Sequence, residues 1–234
     1  MLFKVVGICA LTVVLATNSR VVVAQAPSAV QERVGALKAT LAASQAALRQ
    51  YEWIETTVVS LKGEEKSRKQ QRCYYGADGT LQKIVVDASP PPDTKRGLRG
   101  RIIANKTAEL TDYMQNAVSL VKSYVPPNPT KIQAVRDAGK VTIEVLEPGK
   151  RARINLRDYQ KAGDNLGIEI DLGSNRIARV SVSSYLDSAA DVVTLNAAMG
   201  QLNDGTAYAS EIALNAPAKN LSVTVQNTGY RKTN

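Results

Sequence analysis

The stretch VQERVGALKATLAASQAALRQYEWIETTVVSL, residues 30–61, changes its hydrophobic period partway along. Up to Gln50 a stripe recurs at alternating spacings of four and three, which predicts one amphipathic helix over residues 28–50. From Tyr51 the period becomes two and β-branched and aromatic residues dominate, which predicts a strand. A helix that runs directly into a strand needs that strand's sheet as the surface for its apolar stripe. The stripe comprises Val30, Val34, Leu37, Leu41, Ser44, Leu48 and Tyr51.

The rest of the chain repeats the strand pattern around one helical insertion. Three strands are predicted over residues 51–87, with a hairpin turn at Ala77–Thr80. The prolines of residues 90–92 favour an extended connector, and two amphipathic helices follow over residues 102–138. About seven more strands are predicted over residues 140–227, because Gly, Asn and Asp punctuate that region at roughly ten-residue intervals.

These patterns predict an α+β protein with one antiparallel sheet of about nine or ten strands. A twisted sheet of that size curls rather than staying flat. Its concave face has to be covered, and the amphipathic helices are the segments that can cover it. We therefore expect one strongly curved sheet, an incomplete barrel, covered by an N-terminal helix and an inserted helical pair.

This arrangement resembles the outer-membrane lipoprotein carrier and sorting superfamily. The resemblance rests on residues 30–61, on the helices inserted after the third strand, and on the closing strands, and it concerns the order of elements. It implies an exported, unclosed half-barrel that holds acyl chains in an apolar cavity under its helices. The carrier itself is rich in aromatic residues along that cavity, whereas this chain has one Trp and one Phe.

Residues 1–24 are predicted to be a signal peptide. Lys4 supplies the positive charge, residues 5–16 are an apolar run too short to span a bilayer, and Ala24 precedes the expected cut. The alternative is an uncleaved N-terminal anchor, in keeping with Arg20 between the apolar run and the cut. Cleavage would leave residues 25–234 as a single domain, exported and soluble, with the periplasm as the expected compartment.

A basic segment, TKRGLRGRIIANK, covers residues 94–106 and contains no acid. Export and the lack of interleaved aromatic residues argue against a nucleic-acid partner. Two interpretations stay open: a solvated loop, or a contact surface for an anionic membrane or an acidic partner. The residues assigned to that contact are Lys95, Arg96, Arg99 and Arg101.

The composition points away from catalysis. The chain has no histidine, which excludes Ser-His-Asp and Cys-His systems and histidine-bound zinc. Cys73 is the only cysteine beyond the predicted signal peptide, so no thiolate cluster is expected. Glu55, Glu144, Glu169 and Asp171 leave a carboxylate hydrolase open, with Glu55 the most notable because its strand face is otherwise apolar. Glu144 and Glu169 are expected to face outward into solvent. We predict a protein that is not an enzyme and needs no cofactor or metal.

The predicted function is to bind a lipid-like or acyl ligand between the curved sheet and its helices. Flexible Met and amphipathic Tyr and Trp side chains suit such a ligand. The same residues could instead fill a closed core. In that case the protein would be an interaction or sensing module that binds an envelope protein with its outer surface. The candidate ligand-binding residues are Trp53, Tyr113, Met114, Tyr185, Met199 and Tyr208.

Overall fold

The computed structural model describes residues 39, 42–89, 98–125 and 127–233. A helix α1, described over residues 42–48, precedes three strands, two further helices and seven strands. The elements after α1 are β1 (Tyr51–Leu61), β2 (Glu64–Tyr75), β3 (Leu81–Ala88), α2 (Leu98–Lys122), α3 (Pro129–Asp137), β4 (Val141–Glu147), β5 (Arg151–Arg157), β6 (Asn165–Asp171), β7 (Arg176–Tyr185), β8 (Val192–Gln201), β9 (Ala207–Ala216) and β10 (Leu221–Lys232), with a 3₁₀ turn at Pro217–Lys219.

All ten strands form one antiparallel, curved and unclosed sheet, as predicted. The order across the sheet is β3-β2-β1-β10-β9-β8-β7-β6-β5-β4. The first and last strands of the chain, β1 and β10, therefore lie side by side in the interior of the sheet. Within the part of the chain that the structure describes, β3 and β4 are the two edges, although they follow one another in sequence.

This order explains the position of the inserted helices. The chain leaves the sheet at one edge, β3, and returns at the other, β4, so the connection has to cross the width of the sheet. Helix α2 has 25 residues, which corresponds to a length of about 37 Å. That length suits a crossing over the concave face of a curled sheet. We call this concave face, which carries the helices, the inner face.

The strand register places a row of aliphatic side chains under α2 and α3. Each member is the cross-strand partner of the next, from β4 through to β1, so all share the inner face. All eight belong to, or pack against, the main core, together with Ala117 and Val121 of α2 and Val135 of α3. We call this set the covered row: Val141, Leu156, Leu166, Val182, Leu195, Leu214, Val223 and Val59.

A second aliphatic row lies two residues further along each strand and therefore on the same face. Its members are also cross-strand partners, from β4 to β10. Val180 is buried in the main core, five others are half-buried, and Ile143 on the edge strand is 52% exposed. All the half-buried members except Val225 also pack against that core. We call this set the apolar band: Ile143, Ile154, Ile168, Val180, Ala197, Ile212 and Val225.

Two element boundaries differ from those expected. Helix α2 begins at Leu98 rather than near residue 102, because the isolated Gly100 is tolerated inside the helix at a cost of about 1 kcal/mol. Strand β10 continues to Lys232 rather than ending at residue 227. Helix α3 begins as expected after Asn128, whose side chain accepts hydrogen bonds from the backbone N–H groups of Thr130 and Lys131.

Candidate functional site

Helix α2 is attached to the sheet most firmly at its C-terminal end. Tyr124, just beyond α2, is fully buried and donates a hydrogen bond of 2.5 Å to Oδ2 of Asp164. Its hydroxyl also lies 2.8 Å from Oγ of Ser184. Burial, followed by the hydrogen bond to Asp164, raises the pKa of Tyr124 above its ordinary value. This buried contact holds the end of α2 over β6 and β7.

Asp164 organises the loop that receives Tyr124. Its carboxylate accepts hydrogen bonds from the backbone N–H groups of Tyr159, Gln160 and Lys161 as well as from Tyr124. The residue is 2% exposed. A buried carboxylate is tolerated when donors of this kind surround it. Asp164 therefore serves structure, by joining the β5–β6 loop to the end of α2.

Two further contacts anchor α2 nearer its N-terminal end. The hydroxyl of Tyr113 donates a hydrogen bond of 2.6 Å to Oδ1 of Asp191, at the start of β8. Burial, followed by this bond, raises the pKa of Tyr113. Lys219 forms an exposed ion pair of 3.6 Å with Glu109. These partners of α2 lie at the start of β6, β8 and β10 and at the end of β7. Because neighbouring strands are antiparallel, all four positions are at the same end of the sheet, and the anchors hold the helix over that end of the inner face.

The opposite end of the inner face carries an aromatic cluster of five side chains. Tyr230 stands at its centre, stacked on Trp53 at 5.4 Å between ring centroids and tilted against Tyr208 at 4.4 Å. Trp53 also donates a 3.1 Å hydrogen bond to the side chain of Asn227. A Cβ at Gly200 would lie 2.8 Å from the Tyr208 ring, so a larger residue here would displace that ring. The cluster comprises Tyr51, Trp53, Tyr75, Tyr208 and Tyr230.

The structure brings some of the predicted ligand-binding residues together and separates others. Trp53 and Tyr208 both contact Tyr230 in the aromatic cluster. Tyr113 and Met114 pack against the main core from α2.

The other two predicted residues lie on the opposite face of the sheet. Ser184 contacts the buried Tyr124, so its strand neighbour Tyr185 points to the other face, where it donates a hydrogen bond to the backbone of Ala162. Gly200 is paired with Tyr208, so its neighbour Met199 faces away from the cluster.

Sequence reasoning did not select Tyr230 or Tyr124. Tyr230 reaches the inner face because the register between β1 and β10 shifts between Glu52 and Ile54 and the backbone at Gly229 has a positive φ. Simple alternation along β10 does not show this shift. Tyr124 is not a member of the apolar stripe that predicted this helix, whose last two positions are Val121 and Val125, and the prolines that follow mark a helix end.

Of the four acidic residues singled out in the sequence, Glu55, Glu144 and Glu169 are held in ion pairs. Asp171 accepts a hydrogen bond from the backbone N–H of Ser174. Both oxygens of Glu55 lie 2.7 Å from Nζ of Lys83 on β3. Glu169 faces outward as expected, but it is only 5% exposed because Arg153 and Arg179 on the flanking strands cover its carboxylate. The expectation that Glu169 is solvated was therefore wrong.

Cys73 is fully buried, and burial, together with the Glu55 carboxylate, raises the pKa of its thiol. A thiol in that state is a poor nucleophile. The cysteine is therefore a packing residue beside Trp53, its cross-strand partner on β1.

The basic segment of residues 94–106 is only partly within the described residues. Lys95 and Arg96 lie outside them. Arg99 and Arg101 fall in the first turns of α2, so the expected loop is helical from Leu98 onward. The predicted signal peptide also lies outside the described residues. None of the helices in the described part of the chain combines the length and hydropathy needed to cross a membrane.

An open depression of about 510 Å³ lies at the ends of two hairpins, away from the apolar band. The β1–β2 turn and the β9–β10 connection form it, and its walls mix polar and apolar groups. It is wide open to solvent and does not enclose a ligand. The lining residues are Lys62, Gly63, Asn215, Pro217, Asn220, Leu221 and Ser222.

Comparison with known proteins finds matches among solved structures. No family model and no curated protein matches the chain. It is similar to a DUF1329 family protein from Desulfovibrio piger, with 8% identity, a TM-score of 0.32, and coverage of 84% of this chain and 92% of that one. A LolA superfamily protein from Nitrosomonas europaea gives 9% identity, a TM-score of 0.34, and coverage of 85% and 94%.

A third similar structure is an outer membrane lipoprotein-sorting protein domain from Vibrio parahaemolyticus. It is 12% identical, with a TM-score of 0.31 and coverage of 82% of this chain and 91% of that chain. At such identities and scores, neither ligand nor activity transfers to this chain. The chain's own order of elements, helix, three strands, two helices and seven strands, is the order that the resemblance to the lipoprotein carrier and sorting superfamily implies.

Proposed function

We propose that the protein is an exported, non-enzymatic binding protein that holds an acyl chain or a similar hydrophobic group on the apolar band. One observation carries this proposal. Seven aliphatic side chains on seven adjacent strands form a continuous row on the inner face, and most of that row is only half-buried. Contiguous apolar surface that stays accessible to water marks binding sites in soluble proteins.

The energetics of such a site need no catalytic motif. Each methylene that moves from water onto the band contributes about 0.8 kcal/mol, and the contribution is not directional. Aliphatic side chains such as Ile154 and Ile212 offer no hydrogen-bonding group that would select one ligand. The site would therefore accept a chain by length and hydrophobicity.

The non-enzymatic part of the proposal is supported by the state of the candidate acids. Glu55 is ion-paired to Lys83, and Glu169 is covered by two arginines. The export part rests on the sequence of residues 1–24.

A protein partner is the second candidate, and strand β3 favours it. All eight residues of β3 are exposed although four of them are large and apolar. An exposed, apolar edge strand is a template for a strand from another chain. The four residues are Leu81, Ile84, Val85 and Val86.

The test compares a residue of the apolar band with an apolar residue off the band. Val225 is half-buried on the inner face of β10, and Ile84 is 44% exposed on the outer face of β3. We expect Val225→Asn to weaken binding of a fluorescent fatty acid about fivefold, because a polar group replaces apolar contact, and Ile84→Asn to leave binding unchanged. Equal effects of the two variants would contradict the proposal.

Native mass spectrometry of protein purified from its own host supplies the second measurement. Co-purified lipid on the wild type, reduced in Val225→Asn, is the expected result. A bare wild-type chain that does not bind the fluorescent fatty acid would leave the protein partner as the better candidate. Trp53 is not a suitable fluorescent reporter, because it is already buried and stacked on Tyr230.

A further inference from the structure

The row that contains the apolar band continues beyond β10 and changes its chemistry there. Val225 is the cross-strand partner of Thr57 on β1, and Thr57 is the partner of Lys69 on β2. The inner face therefore presents seven aliphatic residues, then a hydroxyl, then a positive charge along one line. The Lys69 side chain is exposed.

Lys69 has no acidic partner among the described residues, whereas Lys83 has one. Lys83 lies on the same face and is bound by both oxygens of Glu55. Among the ion pairs between described residues, none includes Lys69. Gln71, two residues along β2 and so on the same face, adds a neutral hydrogen-bonding side chain beside it.

We infer that the ligand is a long-chain amphiphile with a carboxylate headgroup, which lies across the strands with its headgroup at Lys69 and its chain on the apolar band. This inference rests on the proposed function. Neighbouring strands are about 4.8 Å apart, so Val180 lies about 24 Å along the sheet from Lys69. A long acyl chain that starts at Lys69 thus has aliphatic partners along that path.

The arrangement gives the site a direction. At the β2 end an anionic headgroup would contact the ammonium group of Lys69 and remain hydrated. At the β4 end the inner face carries Ile143 and, one position further on the same face, Val145, both about half exposed. A ligand in the reverse direction would place its charge against these two aliphatic side chains, where it would lose hydration without gaining a partner.

The experiment compares laurate, which is anionic at neutral pH, with 1-dodecanol, a neutral molecule of the same chain length. Isothermal titration calorimetry measures both against the wild type, Lys69→Met and the control Lys62→Met. Lys62 is an exposed lysine in the β1–β2 turn, so the control removes the same charge away from the band. We expect wild type and control to bind laurate about five- to tenfold more tightly than 1-dodecanol, and Lys69→Met to bind the two equally.

Unchanged laurate affinity in Lys69→Met, with both ligands still bound, would overturn the inference and leave the proposed function in place. The same holds if Lys62→Met weakens laurate as much as Lys69→Met does, because the effect would then come from net charge. Failure of the wild type to bind either ligand would overturn the proposed function itself. Lys69 is exposed, so the variant is expected to fold, and a thermal melt checks this.

Discussion

The covered row and the apolar band are neighbours on one face of one sheet and contain the same kinds of aliphatic residue. Leu166 of the covered row is fully buried, whereas Ile168, two residues along the same strand, is half-buried. The difference comes from the helices over one end of the inner face, where the anchors hold α2. The position of these anchors, rather than the hydrophobicity of the side chains, decides which aliphatic residues are fully covered and which stay partly accessible, although most of the apolar band also packs against the main core.

The largest effect is expected from removing the anchor itself. We expect Asp164→Ala to lower the free energy of unfolding by about 4 kcal/mol, because three backbone N–H groups and the buried Tyr124 hydroxyl lose their acceptor. Urea unfolding followed by circular dichroism measures this. The control Asp187→Ala, an exposed residue, should change stability by less than about 0.5 kcal/mol. A loss below about 1 kcal/mol for Asp164→Ala would show that the anchor is not what holds α2 in place.

A smaller effect should distinguish the two rows directly. Leu166→Ala should cost about 3 kcal/mol, because it leaves a cavity under the helices. Ile168→Ala should cost about 1.5 kcal/mol, since a half-buried side chain loses less contact and water fills the space. Both residues lie on β6 and face the same side, so urea unfolding of the two variants is a matched comparison. Equal costs would mean that the apolar band is as closed as the covered row.

The smallest effect concerns alkaline pH. Burial, followed by the hydrogen bond to Asp164, raises the pKa of Tyr124 in the folded state. Tyrosines in the unfolded chain ionise at about pH 10. The stability that this shift contributes is therefore complete below about pH 10 and is lost as the pH rises further. Tyr124→Phe should cost about 1 kcal/mol at neutral pH.

The same variant should also lose stability less steeply above about pH 10 than the wild type does. Thermal melts across that range measure the slope. Tyr113, whose pKa is raised by burial and by Asp191, provides a parallel variant, Tyr113→Phe, at the other anchor. An alkaline slope that is identical in Tyr124→Phe and the wild type would show that the hydroxyl of Tyr124 does not stay neutral in the folded protein.

The candidate site was harder to predict than the strands. Trp53 and Tyr208 were selected as aromatic residues in strands, and the structure places both in one cluster. Met199 was selected for the same kind of reason, but the register between β8 and β9 shifts there, with one extra residue in β9, and Gly200 rather than Met199 pairs with Tyr208. A bulge of this kind adds one residue to one strand of a pair, and nothing in the local pattern marks it.

The sequence by itself determined the elements and the class of the fold. The change of period at Tyr51, the punctuation of the strands and the prolines around the helices are local signals, because each depends on backbone geometry over a few residues. Only the tertiary structure decided that β1 pairs with β10, that Tyr230 completes the aromatic cluster, and that Lys69 lies in the same row as the apolar band. These facts depend on register between strands far apart in the chain, and register is set by packing of the whole sheet rather than by any one segment.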